Sequence, residues 1–142
     1  MKIGIASDHA GYKVKEIIKK YLQEIHYTII DYGTYNEDSV DYPNYAFKVC
    51  DAINDNEIDF GILICYTGIG MSIAANKRKG IRCAKVDNIT EAKLTREHNN
   101  SNVLALSALK DIETLKIIVK TYLETKFTNE ERHVRRIKLI EK

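Results

Sequence analysis

The sequence predicts an α/β protein: a single doubly wound (Rossmann-like) three-layer sandwich with a five-stranded parallel sheet, formed by one domain over residues 1–142. Three observations predict it. Short apolar runs alternate along the chain with amphipathic segments of helical period, which favours right-handed crossovers between parallel strands. A length of 142 residues suits one hydrophobic core. No repeat, linker or low-complexity tract divides the chain.

The first half of the chain contains two predicted strands and two predicted helices. The run KIGIAS has no polar residue after its lysine until its last position, whereas the next segment repeats apolar residues at helical spacing with lysines between them. Turn-forming residues separate the later segments. We expect a strand at 2–7, a helix within 8–25, a strand at 27–33, a loop at 34–41, and a helix that starts near Pro43 and continues through 44–53.

The second half continues the alternation. The run DFGILIC is continuously apolar, as in a strand buried on both faces. Gly80 is a candidate C-cap of the following helix, and Asp87 or Thr90 a candidate N-cap of the next one. We expect strands at 59–65, 81–86 and 102–107, helices at 70–80, 87–98 and 111–125, and a last helix at about 128–142 that packs on the body or on a partner.

The composition limits the classes of function. The 22 basic and 20 acidic residues give a net charge of +2, too small to indicate a nucleic-acid or membrane partner. No signal peptide or membrane-spanning run is expected. Three widely spaced cysteines match neither a disulfide framework nor a zinc motif, so reduced thiols in a cytoplasmic protein are expected, with Cys50 and Cys83 in the core.

Polar and titratable residues follow the predicted strands. Ligands of an open parallel sheet bind outside the carboxyl ends of its strands. Asp8 and His9 follow the first strand, Cys65 ends the third, and His98 ends the helix ahead of the fifth. We expect these four side chains to lie at one edge of the sheet. A lone histidine is more often structural, and His26, away from these residues, is given no role.

The segment CYTGIGMS supplies the sharpest chemical prediction. Gly68 and Gly70 allow a turn whose N–H groups can hold a phosphate or a developing oxyanion. A cysteine beside such N–H groups is suited to exist as a thiolate and to act as a general base. The alternative is that Cys65 is a small apolar residue at a strand end. The segment is not a dinucleotide fingerprint, because it lacks the third glycine and follows the third strand.

The last predicted helix carries Arg132 and Arg136 four residues apart. Their side chains therefore share a helix face and could together bind one phosphate group. The alternative is a solvated basic face without a ligand. Val134, Ile137 and Ile140 lie on another side of the helix, suitable for packing.

Six segments together resemble one known family, type B ribose-5-phosphate isomerase. In chain order they are SDHAG, VDYPNYA, GILICYTGIGMSIAANK, GIR, REHNNSNVLAL and RHVRRI. The resemblance implies interconversion of ribose 5-phosphate and ribulose 5-phosphate without metal or organic cofactor. It also implies a homodimer, which in this family is often paired into a tetramer, with sites at the dimer interface.

The resemblance also implies roles for individual residues. The matching cysteine, Cys65, moves a proton between C2 and C1, and the matching histidine, His98, opens the furanose ring. Thr67 and the backbone of Gly68, Ile69, Gly70 and Met71 hold the enediolate oxygens. The matching sugar contacts are Asp8, Tyr42 and Asn99, and the matching phosphate contacts are His9, Arg132 and Arg136.

The chain departs from the family pattern at three positions. Tyr66 stands where the family commonly has glycine, and Ser107 and Leu109 stand where it often has glycine and arginine. Lys110 is a candidate replacement for that arginine. Two related substrates stay open, allose 6-phosphate and galactose 6-phosphate. A non-catalytic sugar-phosphate-binding module on the same fold is the alternative from another functional class.

Overall fold

A computed structural model describes all 142 residues and confirms the predicted fold class. Five parallel strands form one sheet between two layers of helices. The strands are β1 Lys2–Ser7, β2 Thr28–Asp31, β3 Phe60–Cys65, β4 Cys83–Lys85 and β5 Val103–Ser107. The helices are α1 Tyr12–Glu24, α2 Tyr42–Asn54, α3 Ile69–Ala75, α4 Ile89–Asn99, α5 Ile112–Glu124 and α6 Glu131–Ile140.

The strand order is β2-β1-β3-β5-β4, so β4 forms an edge although β5 follows it in the chain. Alternate residues of the central strands face opposite layers, which explains why these runs are apolar throughout. Ile62 packs with α1 and α5 in one core cluster, whereas its neighbour Leu63 packs with α2 and α3 in the other. The register pairs Cys65 with Ser107, so β3 and β5 end together.

Two predicted helix caps are wrong. Helix α3 ends at Ala75, and Gly80 instead occupies the turn into β4 with φ +79°. The N-cap of α4 is Asn88, whose side chain accepts the N–H of Glu91 at 2.8 Å, rather than Asp87 or Thr90. The Glu91 carboxylate in turn accepts the N–H of Asp87 at 2.7 Å, so the capping interactions involve residues on both sides of Asn88.

The buried cysteines follow the expectation only in part. Cys50 lies on the buried face of α2 and is fully buried, as predicted. Cys83 packs against the same core cluster but is only half-buried, because β4 is a three-residue edge strand, so its assignment to the core is confirmed in part. Helix α2 begins with Pro43 in its first turn, as the sequence indicates.

The last helix packs on the body of its own chain. Helix α6 contacts α4 and buries His133, and Glu141 just beyond its end pairs with Arg82. Val134 and Ile137 are half-buried, whereas Ile140 is 63% exposed. No helix of the structure has the length and apolar character needed to cross a membrane.

Candidate active site

Cys65 lies at the carboxyl end of β3, where the chain turns sharply toward α3. The residue is 3% exposed, and its Sγ accepts the backbone N–H of Gly68 at 3.2 Å. Gly68 has φ +80°, and a Cβ at this position would lie 2.9 Å from the backbone carbonyl carbon of Leu106. The turn that points an N–H group at the sulfur therefore requires glycine.

The loop after Cys65 is closed on itself and covered by Tyr42. The Thr67 hydroxyl accepts the N–H of Ile69 at 3.2 Å. The ring of Tyr42 lies so close to Gly70 that a Cβ there would be 2.8 Å from the ring. Met71 is fully buried, so its side chain belongs to the core and only its backbone is available to a ligand.

Two predicted site residues that directly follow β1 lie beside this loop. Asp8 is 7% exposed, and its Oδ1 accepts the N–H of Gly11 at 2.9 Å. The N–H of Asp8 donates to the carbonyl of Ile64 at 3.3 Å, which places Asp8 next to the end of β3. His9 Nδ1 accepts the N–H of Val40 at 3.2 Å, which leaves Nε2 to face a ligand.

A serine joins the loops that follow β3 and β5. Ser107 Oγ donates to the carbonyl of Tyr66 at 2.8 Å and accepts the N–H of Leu109 at 3.1 Å. Ser107 is thus hydrogen-bonded to both of the other departures from the family pattern, Tyr66 and Leu109. The side chains of Tyr66 and Leu109 are 59% and 63% exposed beside the thiol loop.

A cavity of about 560 Å³ also opens at this edge of the sheet. Thr67, Lys85 and Lys110 are among its lining residues. Both carboxylate oxygens of Asp87 hold Lys85, at 2.5 and 2.6 Å. Lys110 has no carboxylate within salt-bridge distance, so it is the cation of this cavity that remains available to an anion.

The environment of Cys65 differs from that of the other thiols. Burial raises the pKa of Cys50 to about 12 and that of Cys83 to about 12. Those two thiols are therefore protonated at neutral pH and unsuited to proton transfer. Cys65 is the one cysteine whose sulfur accepts a backbone N–H.

His98 does not share this edge with Cys65, and that expectation was wrong. Helix α4 begins after the carboxyl end of β4 and runs back, so His98 lies near the start of β5. Strand β5 has five residues, and at about 3.3 Å per residue its ends are about 13 Å apart. Cys65 is level with the far end of β5, so His98 of the same chain cannot reach the same substrate carbons.

A second cluster of polar residues forms around His98. Its ring stacks on that of His133, with centroids 4.3 Å apart and planes at 17°. Arg132 and Arg136 lie on the same helix as His133 and are exposed; Arg132 pairs with Glu130 at 3.2 Å, and Arg136 has no carboxylate partner. Neighbouring Asn99 is also exposed.

The predicted site residues thus fall into two groups within one chain. We call the group at the carboxyl edge the thiol half-site: Asp8, His9, Tyr42, Cys65 and the loop of residues 66–71. We call the group around α4 and α6 the histidine half-site: His98, Asn99, Arg132, His133 and Arg136. Sequence analysis missed His133, although its spacing from half-buried Ile137 marks the body-facing side of α6.

Comparison with known proteins decides the family. The model of the Ribose/Galactose Isomerase family matches residues 3–140, nearly the whole chain. The chain belongs to this family. Ribose-5-phosphate isomerase B of Escherichia coli is 41% identical to this isomerase over 140 residues, covering 98% of the present chain and 93% of that protein. A Bacillus subtilis relative, whose provisional name is sugar phosphate isomerase, is 48% identical over 139 residues, or 96% of this chain and 93% of its own.

Solved structures show the same fold over nearly the full length of the isomerase. Ribose-5-phosphate isomerase B of Clostridium thermocellum superposes with a TM-score of 0.97 at 45% identity, covering 99% of this chain and 95% of that one. The Thermotoga maritima ribose 5-phosphate isomerase superposes with a TM-score of 0.96 at 51% identity, covering 99% and 97%. The protein is therefore a sugar-phosphate isomerase.

Proposed function

We propose that this isomerase interconverts ribose 5-phosphate and ribulose 5-phosphate through an enediolate. The observation that carries the proposal is the thiol of Cys65 at the end of β3, which accepts the N–H of Gly68 at the mouth of a glycine-rich loop. Relatives named ribose-5-phosphate isomerase B cover nearly the whole chain and support the choice of substrate.

The reaction needs a base and an oxyanion site, and the thiol half-site offers both. The Cys65 thiolate takes the C2 proton of the open-chain aldose, the C–H electron pair forms the C1–C2 double bond, and the carbonyl oxygen on C1 becomes an enediolate oxygen. The proton then returns to C1, while the hydroxyl proton on C2 moves to the oxygen on C1 and leaves a C2 ketone. Thr67 and the backbone of residues 68–71 hold the charged oxygens, as oxyanion donors do in other enzymes.

Ring opening is a proton transfer separate from the one assigned to Cys65, and the family resemblance assigns it to His98. His98 lies near the start of β5, whereas Cys65 is level with the other end of that strand, and the two ends are about 13 Å apart. We therefore propose a homodimer, itself able to pair into a tetramer, in which the histidine half-site of one subunit completes the thiol half-site of the other. His98 of the partner subunit then opens the furanose ring by proton transfer.

The remaining residues are assigned to substrate binding. Asp8, Tyr42 and Asn99 contact sugar hydroxyls, and His9, Arg132 and Arg136 hold the phosphate. Binding energy from a phosphate several bonds away can position the reacting carbons over the sulfur. The three cysteines are all free, which supports a cytoplasmic location.

The first experiment is a direct assay of the purified protein with ribose 5-phosphate in the presence of a metal chelator. We expect turnover that the chelator does not reduce. The same assay with allose 6-phosphate and galactose 6-phosphate tests the six-carbon substrates. A strong preference for either hexose phosphate would overturn the proposed substrate but leave the isomerase assignment intact.

A further inference from the structure

His133 has the most unusual environment in the histidine half-site. The residue is 5% exposed, and its Nε2 is buried without a hydrogen-bond partner. A phenylalanine of similar shape would fill the space without burying an unpartnered nitrogen, which lowers stability. His133 Nε2 makes no hydrogen bond, so the contribution of this side chain comes from the shape and stacking of its ring.

The imidazole of His98 depends on His133 for its orientation. Neither ring nitrogen of His98 makes a hydrogen bond within the chain, and the observed contact of the ring is the stack on His133 at 4.3 Å and 17°. A side chain at the end of a helix has several accessible rotamers, and a flat neighbour that covers one face of the ring removes most of them.

The charges around His133 favour its neutral form. His98 faces it from α4, and Arg132, Arg136 and Glu130 face it from α6 and its first turn. Burial, followed by the positive charges of His98, Arg132 and Arg136, lowers the pKa of His133, against a smaller opposing effect of Glu130. If His133 is neutral, protonation of His98 does not place two positively charged rings against each other. The stack can therefore persist whether or not His98 carries a proton.

We infer that His133 is a positioning residue. By stacking on His98 it fixes the orientation of the His98 imidazole. Because this stack connects α4 to α6, it also fixes where the imidazole lies relative to Arg132 and Arg136. The inference rests on the proposed role of His98. The phosphate-binding arginines and the ring-opening imidazole belong to different helices, so their relative placement depends on how α6 docks on α4. His133 is the buried residue of that docking.

The open-chain substrate separates ring opening from isomerisation. Ribose 5-phosphate is a furanose in solution, whereas ribulose 5-phosphate cannot close the equivalent ring because its O5 carries the phosphate. Exchange of the C1 proton of ribulose 5-phosphate with solvent deuterium therefore needs Cys65 but no ring opening. The variants are His133→Ala, which removes the stack, and His133→Phe, which keeps it without a nitrogen.

We expect His133→Ala to lower kcat for ribose 5-phosphate by about 10- to 100-fold, as misplaced catalytic groups do, with deuterium exchange reduced less than about 3-fold. His133→Phe should keep both rates within about 3-fold of wild type. The proton NMR signals of the His98 ring should lose their ring-current shift in His133→Ala and retain it in His133→Phe.

Three results would overturn the inference: equal loss of both rates in His133→Ala, no loss in either rate, or a His133→Phe variant as impaired as His133→Ala. The proposed function fails separately. Wild-type protein that does not turn over ribose 5-phosphate would overturn it, while the NMR shift of His98 would still report whether His133 orients that ring.

Discussion

The hydrogen bond from the Gly68 N–H to the Cys65 sulfur explains why glycine occupies position 68. The sulfur is buried at a strand end, and the N–H that points at it belongs to a residue in the left-handed region. A non-glycine residue is disfavoured there by about 1–2 kcal/mol from its backbone conformation alone. The glycine is thus explained by the N–H that it delivers to the sulfur.

Replacement of Cys65 tests the base directly. We expect Cys65→Ala to lower kcat for ribose 5-phosphate by at least about 100-fold, the usual contribution of a general base, while sugar-phosphate affinity measured by calorimetry changes little. The control is Cys83→Ala, which removes a thiol of high pKa and should leave turnover unchanged. Undiminished turnover in Cys65→Ala would rule out Cys65 as the base and leave it a packing role.

Replacement of Gly68 tests the turn. Gly68→Ala should lower the free energy of unfolding by more than about 1 kcal/mol, since the backbone of Leu106 cannot move away from the added Cβ. We also expect a loss of kcat, since a displaced N–H no longer points at the sulfur. Gly70→Ala is the matched comparison for stability: its added Cβ meets only the Tyr42 ring, which can rotate, so a larger loss there than at Gly68 in urea unfolding would contradict this account.

At the scale of helices and strands, the sequence predicted which elements exist better than where they end. The three central strands, β1, β3 and β5, are largely apolar runs with polar residues close by, so their presence is evident from local pattern. The ends of α3 and α4 depend on contacts that the pattern does not specify. Asn88 caps α4 with help from Glu91, and Gly80 occupies the turn into β4 beside Asn54.

Helix α6 provides matched arginines for a test of phosphate binding. Arg136 has no carboxylate partner, whereas Arg135 pairs with Glu131 at 2.7 Å. We expect Arg136→Ala and Arg132→Ala to raise KM for ribose 5-phosphate by about 10-fold or more, the worth of a charged hydrogen bond. Arg135→Ala should change KM less than about 2-fold, because the pair it loses is exposed. An unchanged KM in Arg136→Ala would show that the basic face of α6 is solvated and does not bind the substrate phosphate.

The ion pairs between α1 and β2 predict a pH dependence of stability. Lys15 is fully buried and donates to Asp31 at 2.5 Å, and Lys19 donates to the same carboxylate at 2.8 Å. Burial acts to raise the pKa of Asp31, but the hydrogen bonds from Lys15, Lys19 and Gly33 outweigh it, and the pKa lies below its ordinary value of 3.8. The unfolded chain therefore binds this proton more tightly, and the stabilisation is lost as pH falls below 3.8.

Asp31→Asn should lower the free energy of unfolding at pH 7 by about 3 kcal/mol, because a buried ammonium loses a partner. The difference from wild type should shrink as pH falls from 3.8 through the lower pKa of Asp31 in the folded protein. Glu37→Gln, in the exposed pair with Lys13, is the control and should cost less than about 0.5 kcal/mol. Urea unfolding at several pH values measures both, and a difference that grows on acidification would contradict the assignment.

At the scale of the whole molecule, the direction of the chain places the thiol half-site and the histidine half-site at opposite ends of the parallel strands. A residue at the end of a helix that precedes a parallel strand lies at the amino edge of the sheet, so His98 and Cys65 had to lie apart. That much could have been derived from the predicted element order. The position of β5 between β3 and β4, and the stack of α6 on α4, depend on tertiary packing and could not.

The separation of the thiol half-site from the histidine half-site within one chain is the reason for the proposed homodimer. In a two-fold symmetric dimer, if the thiol half-site of one subunit contacts the histidine half-site of the other, the reverse contact also forms. Such a dimer can therefore contain two complete sites. Co-expression of Cys65→Ala and His98→Ala chains with different tags allows purification of the mixed dimer. In that dimer one site combines both mutations, and the other combines the unchanged Cys65 with the unchanged His98 of the partner subunit.

The decisive measurement is turnover of ribose 5-phosphate by this mixed dimer. Each variant alone should be nearly inactive, and the mixed dimer should recover about half of the wild-type kcat, because one of its two sites is intact. Recovery to that level is what a site shared between subunits predicts. A mixed dimer no more active than its two parents would contradict it.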